Sequence, residues 1–182
     1  MKDKHMHNPA YDLRAARPED LDGARSVILD TLYRDLGYGY TPAWHTDVID
    51  LDGAYLRTPR HALFVAALGD EVVATTAIRA KAPTSPPHPQ WLADRYPENG
   101  TAQLFRVYVR PEHRRHGLAR GLVALATEFV ANTPGYEVLC LHTDTRVPSA
   151  EAFWRSLAKE IHDGRDGDPE HFQTVHFEIP FG

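Results

Sequence analysis

Residues 106–120 contain five arginines, and they lie where one side-chain pattern gives way to another. The preceding run 104–109 is apolar, with the β-branched and aromatic content of a buried strand. Pro111 ends it, because proline cannot donate to a strand ladder. After Gly117, leucines and a phenylalanine recur at spacings of four, three and four residues, as on one face of an amphipathic helix: Leu118, Leu122, Leu125 and Phe129. The sequence therefore predicts a strand, a basic turn and a helix.

A strand–turn–helix unit of this kind can bind anions. The first N–H groups of a helix have no partner within it, and the helix dipole places about +0.5 charge at that end. Gly117 and Ala119 lack bulky side chains, so a phosphate can approach the backbone closely. The arginines concentrate positive charge in a chain whose net charge is −5. The stretch predicts a site for a polyanion such as a pyrophosphate.

Two common phosphate motifs do not fit this turn. No Gly-x-x-x-x-Gly-Lys-Ser/Thr string is present, and only Gly117 and Gly121 fall where a dinucleotide fingerprint needs three glycines. The pattern Arg/Gln-x-x-Gly-x-Gly/Ala does match, through Arg114, Gly117 and Ala119. With its preceding strand and following helix, the stretch resembles the acyl-CoA motif of the GNAT N-acetyltransferase superfamily. An ordinary strand–helix unit with a solvated basic turn is the alternative reading.

The resemblance implies a fold and an activity. The fold is α/β, with a mixed, mostly antiparallel sheet of about seven strands, about four helices, and fourth and fifth strands that splay apart. The activity is acyl-CoA-dependent N-acyl transfer, with acetyl-CoA as cosubstrate and a small-molecule amine that attacks the thioester directly. A GNAT-fold acyl-CoA sensor or pseudoenzyme and a protein N-acetyltransferase are the alternatives.

The resemblance also implies which residues hold the donor. The pantetheine arm would pair with the backbone of the fourth strand, and the N–H of Val107 would stabilise the oxyanion. The pyrophosphate would meet the N–H groups of the turn. The expected acyl-CoA contacts are Val107, Tyr108, Val109, Arg114, Arg115, His116, Gly117, Leu118, Ala119, Arg120, Ser149 and Trp154.

The candidate acid and base depart from the family pattern. Trp154 falls where the family's second motif has a tyrosine that protonates the leaving thiolate, and an indole N–H is no practical proton source. Gln103 occupies a position where the family often has a carboxylate base. His142 and Asp144, at the end of a predicted strand, are the substitute candidates, because histidine titrates near neutrality. A lone histidine at a strand end is more often structural.

Residues 37–55 combine aromatic side chains with carboxylates and suit an acceptor-binding loop. The family commonly builds its acceptor pocket between the first two helices. The candidate acceptor contacts are Tyr38, Tyr40, Trp44 and Asp47. The alternative is a partly buried loop followed by a short helix with a solvated acidic face.

Local patterns predict the remaining elements. Strands are expected over residues 11–17, 61–68, 71–79, 137–143 and 174–179, with a hairpin turn at Gly69. Helices are expected from Pro18 to near Gly37 and over residues 149–159, the second with Ser149 as N-cap. The proline-rich segment 82–100 is either a cover over a pocket, an interface or a solvated excursion.

Composition limits the class of protein. The chain has 182 residues, 42% hydrophobic and 25% charged, which suits a single domain over residues 10–182. Residues 1–9 are interpreted as a disordered segment or a cloning remnant. We expect a cytoplasmic protein, since no signal peptide or apolar run of ~20 residues occurs and Cys140 is the only cysteine. The net charge argues against nucleic-acid binding, no metal-ligand spacing is found, and a homodimer stays open.

Overall fold

A computed structural model describes residues 10–182, so the interpretation of residues 1–9 lies outside the described residues. The strands are β1 (Tyr11–Ala15), β2 (Ala62–Leu68), β3 (Glu71–Ala80), β4 (Thr101–Val109), β5 (Val138–Asp144), β6 (Lys159–Asp163) and β7 (Thr174–Glu178). The α-helices are α1 (Leu21–Asp30), α2 (Thr46–Ile49), α3 (Gln90–Arg95), α4 (Leu118–Asn132) and α5 (Ala150–Arg155). Short 3₁₀ and π-helical turns accompany them, including the π-helical turns Thr31–Asp35 and Asp52–Leu56.

The strands form one mixed sheet in the order β1-β2-β3-β4-β5-β7-β6. The pairs β1–β2, β2–β3, β5–β7 and β6–β7 are antiparallel. β4 and β5 pair in parallel where Thr101–Gln103 faces Val138–Cys140, near the start of both strands. The predicted α/β class, with a mixed and mostly antiparallel sheet of seven strands, is confirmed.

The described chain divides into two compact units, residues 10–79 with 105–129 and residues 80–104 with 130–182. The division falls inside β4, between Leu104 and Phe105. The prediction of a single domain over residues 10–182 stays a prediction.

The first unit buries the apolar stripe of α1 against its strands. Val27 and Ile28 on α1 and Val65 on β2 are fully buried, and Val72 of β3 belongs to the same core. Gly121 lets α4 approach β1 closely, because a Cβ at this position would lie 2.5 Å from a methyl carbon of Leu13. Packing of this kind holds the start of α4, and with it the basic turn, in a fixed place.

The second unit contains a helix that the sequence did not predict. α3 lies inside the proline-rich segment 82–100 and buries Leu92 and Tyr96 beside Cys140 of β5. The segment therefore packs on the sheet of its own unit. Burial raises the pKa of the Cys140 thiol to about 12, helped by the charge of Glu178, which suits the predicted role as a core residue.

One sequence-based boundary in the second unit is wrong. The helix predicted over residues 149–159 ends at Arg155, and β6 begins at Lys159. Ser149 stands at the N-cap position, as predicted. Its φ is 67° and its side chain makes no capping hydrogen bond, so it does not stabilise the helix in the way that an N-cap serine usually does.

Candidate functional site

The loop between β4 and α4 has backbone geometry suited to an anion. Pro111–His113 forms a 3₁₀ turn, Arg115 and Gly117 have φ values of 65° and 74°, and α4 then begins at Leu118. Gly117, left-handed and without a side chain, lets a ligand approach the N–H groups at the start of α4, and a helix N-terminus is a recurrent anion site. Residues 114–117 are exposed, so a phosphate can reach these groups without displacing a packed side chain.

Acidic partners engage two arginines of this region. Arg114 donates to a carboxylate oxygen of Asp35 at 2.8 Å, and Arg110 forms an ion pair with Asp30 and donates to Ser26 Oγ at 3.0 Å. These carboxylates on α1 and the following π-helical turn neutralise part of the positive charge that the sequence places here. Sequence reasoning missed them, because no local spacing links residues about eighty positions apart.

The histidines of the loop lie beside β1. The Tyr11 hydroxyl and His113 Nδ1 form a hydrogen bond of 2.9 Å, and the His116 ring centroid is 5.4 Å from that of Tyr11. Both imidazoles therefore stand next to the candidate phosphate loop, and the contact of His116 with the donor stays a prediction.

The other predicted donor contacts in the first unit differ in exposure. Val107, Tyr108 and Val109 of β4 are half-buried, as are Ala119 and Arg120 of α4. Leu118 is buried, so only its backbone N–H is suited to contact a phosphate, while its side chain packs in the core.

β4 contains a left-handed residue immediately before the predicted oxyanion donor. Arg106 has a φ of 55°, which is rare for a residue with a side chain. Its carbonyl accepts a hydrogen bond from Thr75 Oγ1 at 2.8 Å. Val107 follows directly, so the orientation of its N–H depends on how Arg106 is held.

A buried ion pair holds the Arg106 side chain. Its Nε and one terminal nitrogen donate to the two carboxylate oxygens of Asp47, at 3.0 and 2.7 Å. The hydroxyl of Tyr55 donates to the same carboxylate at 2.6 Å, and Arg106 also donates to the Trp44 carbonyl at 3.2 Å. Asp47 and Arg106 are only 8% and 9% exposed. A bidentate pair with a third donor is the arrangement in which buried charges are well satisfied.

The protonation states of this cluster follow from its contacts. Burial acts to raise the pKa of Asp47, but the hydrogen bonds and charge of Arg106 outweigh it and hold the pKa below its usual range. Burial and the Asp47 charge raise the pKa of Tyr55, so its hydroxyl remains a donor. Asp47 is therefore an ionised carboxylate whose oxygens are engaged by Arg106 and Tyr55. The direct contact of Asp47 with an acceptor stays a prediction. Its carboxylate is buried, unlike the solvated acidic face that was the alternative from the sequence.

The predicted acceptor aromatics cluster around His45. The Tyr38 ring stacks on His45 with centroids 6.0 Å apart, and Tyr40 lies at 5.9 Å. Trp44 is 56% exposed and Tyr38 is exposed as well, whereas His45 is buried and accepts a hydrogen bond from the Thr41 N–H at 2.7 Å. Burial, and next the Arg106 charge, lower the pKa of His45, so it is neutral at physiological pH. The loop offers exposed aromatic surface on a buried scaffold.

The second unit contains a row of histidines that sequence reasoning did not assemble. His142 of β5 faces His176 of β7, which in turn faces His162 of β6. His88, from the proline-rich segment, lies with its ring centroid 4.7 Å from that of His176. The Trp91 ring of α3 packs edge-on against His162. The only available signal was that the three strands carry histidine, and strand register had to align them.

Two buried imidazoles of this row, those of His176 and His88, have lowered pKa values. Burial, followed by the charges of the neighbouring histidines, lowers the pKa of His176 to about 3. Burial also lowers the pKa of His88, with help from Lys81 and His162. His142 itself is exposed at the edge of this row. It thus has the access that a proton acceptor needs.

Asp144, the second base candidate, is engaged by a neighbour. Arg146 donates to both of its carboxylate oxygens, at 3.0 and 2.7 Å. Both carboxylate oxygens are therefore occupied by Arg146, which leaves them less available to an acceptor amine. His142 is the stronger candidate of the two.

The helix α5 carries the predicted donor contacts of the second unit. Trp154 is buried and packs edge-on against Phe153, with ring centroids 4.8 Å apart. Ser149 is exposed just before the helix. Trp154 is therefore packed as a core side chain, and its contact with the donor stays a prediction.

The described residues contain neither a side-chain cluster suited to a metal ion nor a helix suited to cross a membrane. Within residues 10–182, no three or more His, Cys, Asp or Glu side chains are arranged to hold a metal ion. The helices of that same range are all too short or too polar to traverse a bilayer.

Comparison with known proteins decides the family. The model of the acetyltransferase (GNAT) family matches residues 27–158, which include the basic turn and α5. The chain belongs to the GNAT family. It is 32% identical over 102 residues to N-acetyltransferase 8B of Rattus norvegicus, and this match covers 56% of the chain and 40% of that relative. It is 29% identical over 115 residues to the N-acetylaspartate synthetases of Rattus norvegicus and Homo sapiens, over 63% of the chain and 33% of each relative. The chain thus spans less than half the length of these relatives.

Solved GNAT structures show the same fold. An acetyltransferase of Streptococcus agalactiae superposes with a TM-score of 0.68 at 16% identity, covering 94% of this chain and 99% of the other. The PaiA N-acetyltransferase of Thermoplasma acidophilum, solved in complex with coenzyme A, gives a TM-score of 0.65 at 14% identity over 94% and 99% of the two chains. At these identities the likeness extends to the fold.

Proposed function

We propose that this GNAT protein transfers an acetyl group from acetyl-CoA to the amino group of a small molecule, by direct attack of the amine on the thioester. The observation that carries the proposal is the exposed loop of residues 114–117, with left-handed Arg115 and Gly117, at the start of α4. The names of the relatives N-acetyltransferase 8B and N-acetylaspartate synthetase support amine acetylation. The coenzyme A complex of the Thermoplasma neighbour supports the donor.

In this proposal the donor lies along β4 and the loop. The pyrophosphate accepts hydrogen bonds from the loop N–H groups, and Arg115 adds positive charge. The pantetheine arm pairs with Val107–Val109. The Val107 N–H points to the thioester oxygen, and its orientation depends on the left-handed Arg106 that precedes it.

The chemistry needs one bond formed and one broken. The amine nitrogen attacks the thioester carbon, the new C–N bond forms, and the tetrahedral oxyanion collapses with cleavage of the C–S bond. The amine proton passes to a base, and coenzyme A leaves as a thiolate that takes a proton from water. A thiol with a pKa of ~8.5 is a tolerable leaving group without a dedicated acid.

The proposed base is His142, directly or through a water molecule. It is exposed on β5, and imidazole is a side chain suited to accept a proton near neutral pH. Trp154 packs beside the pantetheine arm and supplies no proton. The acceptor amine lies against the exposed aromatic rings of Tyr38 and Trp44.

A coupled assay of coenzyme A release tests this function. Purified protein is incubated with acetyl-CoA and a panel of amino acids, polyamines, aromatic amines and lysine peptides, and free thiol is measured. Release above the amine-free rate, with the acetylated product found by mass spectrometry, is the expected result. Longer acyl-CoA donors in parallel define the chain-length preference, and Gly117→Glu is the inactive control.

A GNAT-fold acyl-CoA sensor is the second candidate, favoured by the buried, non-ionisable Trp154 at the position of the family tyrosine. The two candidates differ in one outcome. A sensor binds acetyl-CoA in isothermal calorimetry but releases no free coenzyme A with any amine of the panel, whereas the enzyme does both.

A further inference from the structure

Arg106 connects two parts of the first unit that are far apart in sequence. Its backbone is left-handed within β4, and its carbonyl is fixed by Thr75 Oγ1. Its side chain reaches Asp47 at the start of α2 and the carbonyl of Trp44 in the aromatic loop. Arg106 therefore belongs to the strand proposed for the thioester and contacts the loop proposed for the acceptor.

The backbone of Arg106 has a conformation that an arginine does not favour on its own. A non-glycine residue with a φ of 55° is strained, and such a conformation persists only where the surroundings determine it. Here the surroundings are the buried Asp47 carboxylate and the hydroxyls of Tyr55 and Thr75. If the side chain lost its bidentate partner, the strand could relax toward a regular ladder and turn the Val107 N–H.

The ion pair also fixes the loop. The Trp44 N–H and the His45 N–H both donate to the Thr41 carbonyl, while the Trp44 carbonyl accepts from Arg106. Asp47 lies only three residues beyond Trp44. The position of the exposed Trp44 ring relative to β4 is therefore set through the Arg106–Asp47 contact.

We propose that Arg106 is a positioning residue, which through Asp47 sets the distance and orientation between the aromatic acceptor loop and the Val107 N–H on β4. This inference rests on the proposed acetyl transfer at that strand. It assigns Asp47 a role through Arg106, and it assigns recognition of the acceptor to the exposed aromatic side chains.

Kinetics of Arg106→Lys and Asp47→Asn test the inference. Lysine keeps the charge but loses the two-pronged fork that matches a carboxylate. We expect kcat to fall by about 100-fold, the scale of a misplacement of about 1 Å, with a raised KM for the amine and an unchanged Kd for acetyl-CoA. The double variant should be no worse than the more affected single variant, because both changes break one contact.

Asp20→Asn is the matched control. Asp20 is a buried carboxylate of the same unit, and Arg14 donates to it at 2.7 Å. Its loss should lower the melting temperature while leaving kcat and both KM values near those of the parent. If Arg106→Lys has a lower melting temperature but, assayed well below it, keeps kcat and both KM values near those of the parent, the positioning role is overturned.

Hydrogen exchange provides a second test of the positioning role, one that does not depend on turnover. Amide exchange should accelerate selectively over residues 39–47 in Arg106→Lys, whereas Asp20→Asn should leave that segment as protected as in the parent. Exchange that rises equally throughout the unit, or not at all in the loop, contradicts the inference. If the parent acetylates no amine, the proposed function fails, and the exchange result alone decides whether Arg106 positions the loop.

Discussion

His176 lies directly opposite His142 in the antiparallel pair of β5 and β7, with their ring centroids 5.5 Å apart. His176 is only 4% exposed, whereas His142 is exposed. One imidazole is thus held neutral inside the unit while its neighbour meets solvent. The pair makes two separate predictions, one for stability and one for catalysis.

The stability prediction follows from the pKa of His176, which burial lowers to about 3 from an ordinary value of 6.5. Between these two pH values the imidazole binds a proton in the unfolded chain but not in the folded chain. The free energy of unfolding therefore rises with pH. The stabilisation is complete above pH 6.5 and is lost as the pH falls toward 3, by at most ~1.4 kcal/mol per pH unit. Urea unfolding from pH 7.5 to 4.5 measures it. His176→Gln should flatten this dependence, and an equally steep curve in the variant would contradict the assignment.

The catalytic prediction concerns His142 as the base. His142→Gln should lower kcat by about 100-fold and remove the acid limb of the kcat–pH profile, because the amine proton then has no nearby acceptor. His171→Gln is the control, since His171 is exposed and paired with Asp166 in another loop. Measurement of kcat from pH 5.5 to 9.5 separates them. A retained acid limb in His142→Gln assigns the base elsewhere.

Gly117 should be required for acetyl-CoA binding. Gly117→Glu forces a side chain into a φ of 74° and places a negative charge where the pyrophosphate is proposed. We expect the Kd for acetyl-CoA, measured by calorimetry, to rise at least tenfold. Gly69→Glu is the control. It introduces similar backbone strain at a φ of 60° in the hairpin turn, with open space around it. Equal binding by Gly117→Glu and the parent would mean that the loop does not hold the donor.

Trp154 should act by packing and not as an acid. Trp154→Phe keeps the aromatic contact with Phe153 and removes the indole N–H, so we expect most of kcat to remain. Trp154→Tyr restores a phenol, yet neither variant should change the alkaline limb of the kcat–pH profile. The two variants are compared across the same pH series. A loss above about 100-fold in Trp154→Phe alone would make the indole N–H catalytic.

Trp44 should recognise the acceptor. Its ring is 56% exposed, and its removal takes away aromatic surface without leaving a cavity in the core. Trp44→Ala should raise the KM of the amine several-fold, with the Kd of acetyl-CoA unchanged. Phe172→Ala, which removes an exposed ring from the second unit, is the control and should change neither value. An unchanged amine KM in Trp44→Ala would move the acceptor contact away from this loop.

The sequence by itself determined the strand, turn and helix from β4 to α4. Each signal there is local: an apolar run, a proline that stops it, a glycine where φ is positive, and leucines at helical spacing. Residues close in the chain constrain one another through sterics and hydrogen bonding alone, so such signals survive without tertiary information. α3 and β6 were missed for the complementary reason. Both segments are short. The helix becomes stable only when it packs on the sheet of its unit, and the strand only when it pairs within that sheet.

Only the tertiary structure decided the partners of the chemical groups. Arg106 and Asp47 are 59 positions apart, and the packing of α2 near the left-handed residue of β4 brings them into contact. His142 and His176 meet because β7 pairs with β5 in one register, and a shift of one residue would place His176 on the other face of the sheet. Register and burial arise from packing between distant segments. Those features determine which charges are neutralised and which imidazoles stay neutral, so the sequence could name the candidate residues but not their states.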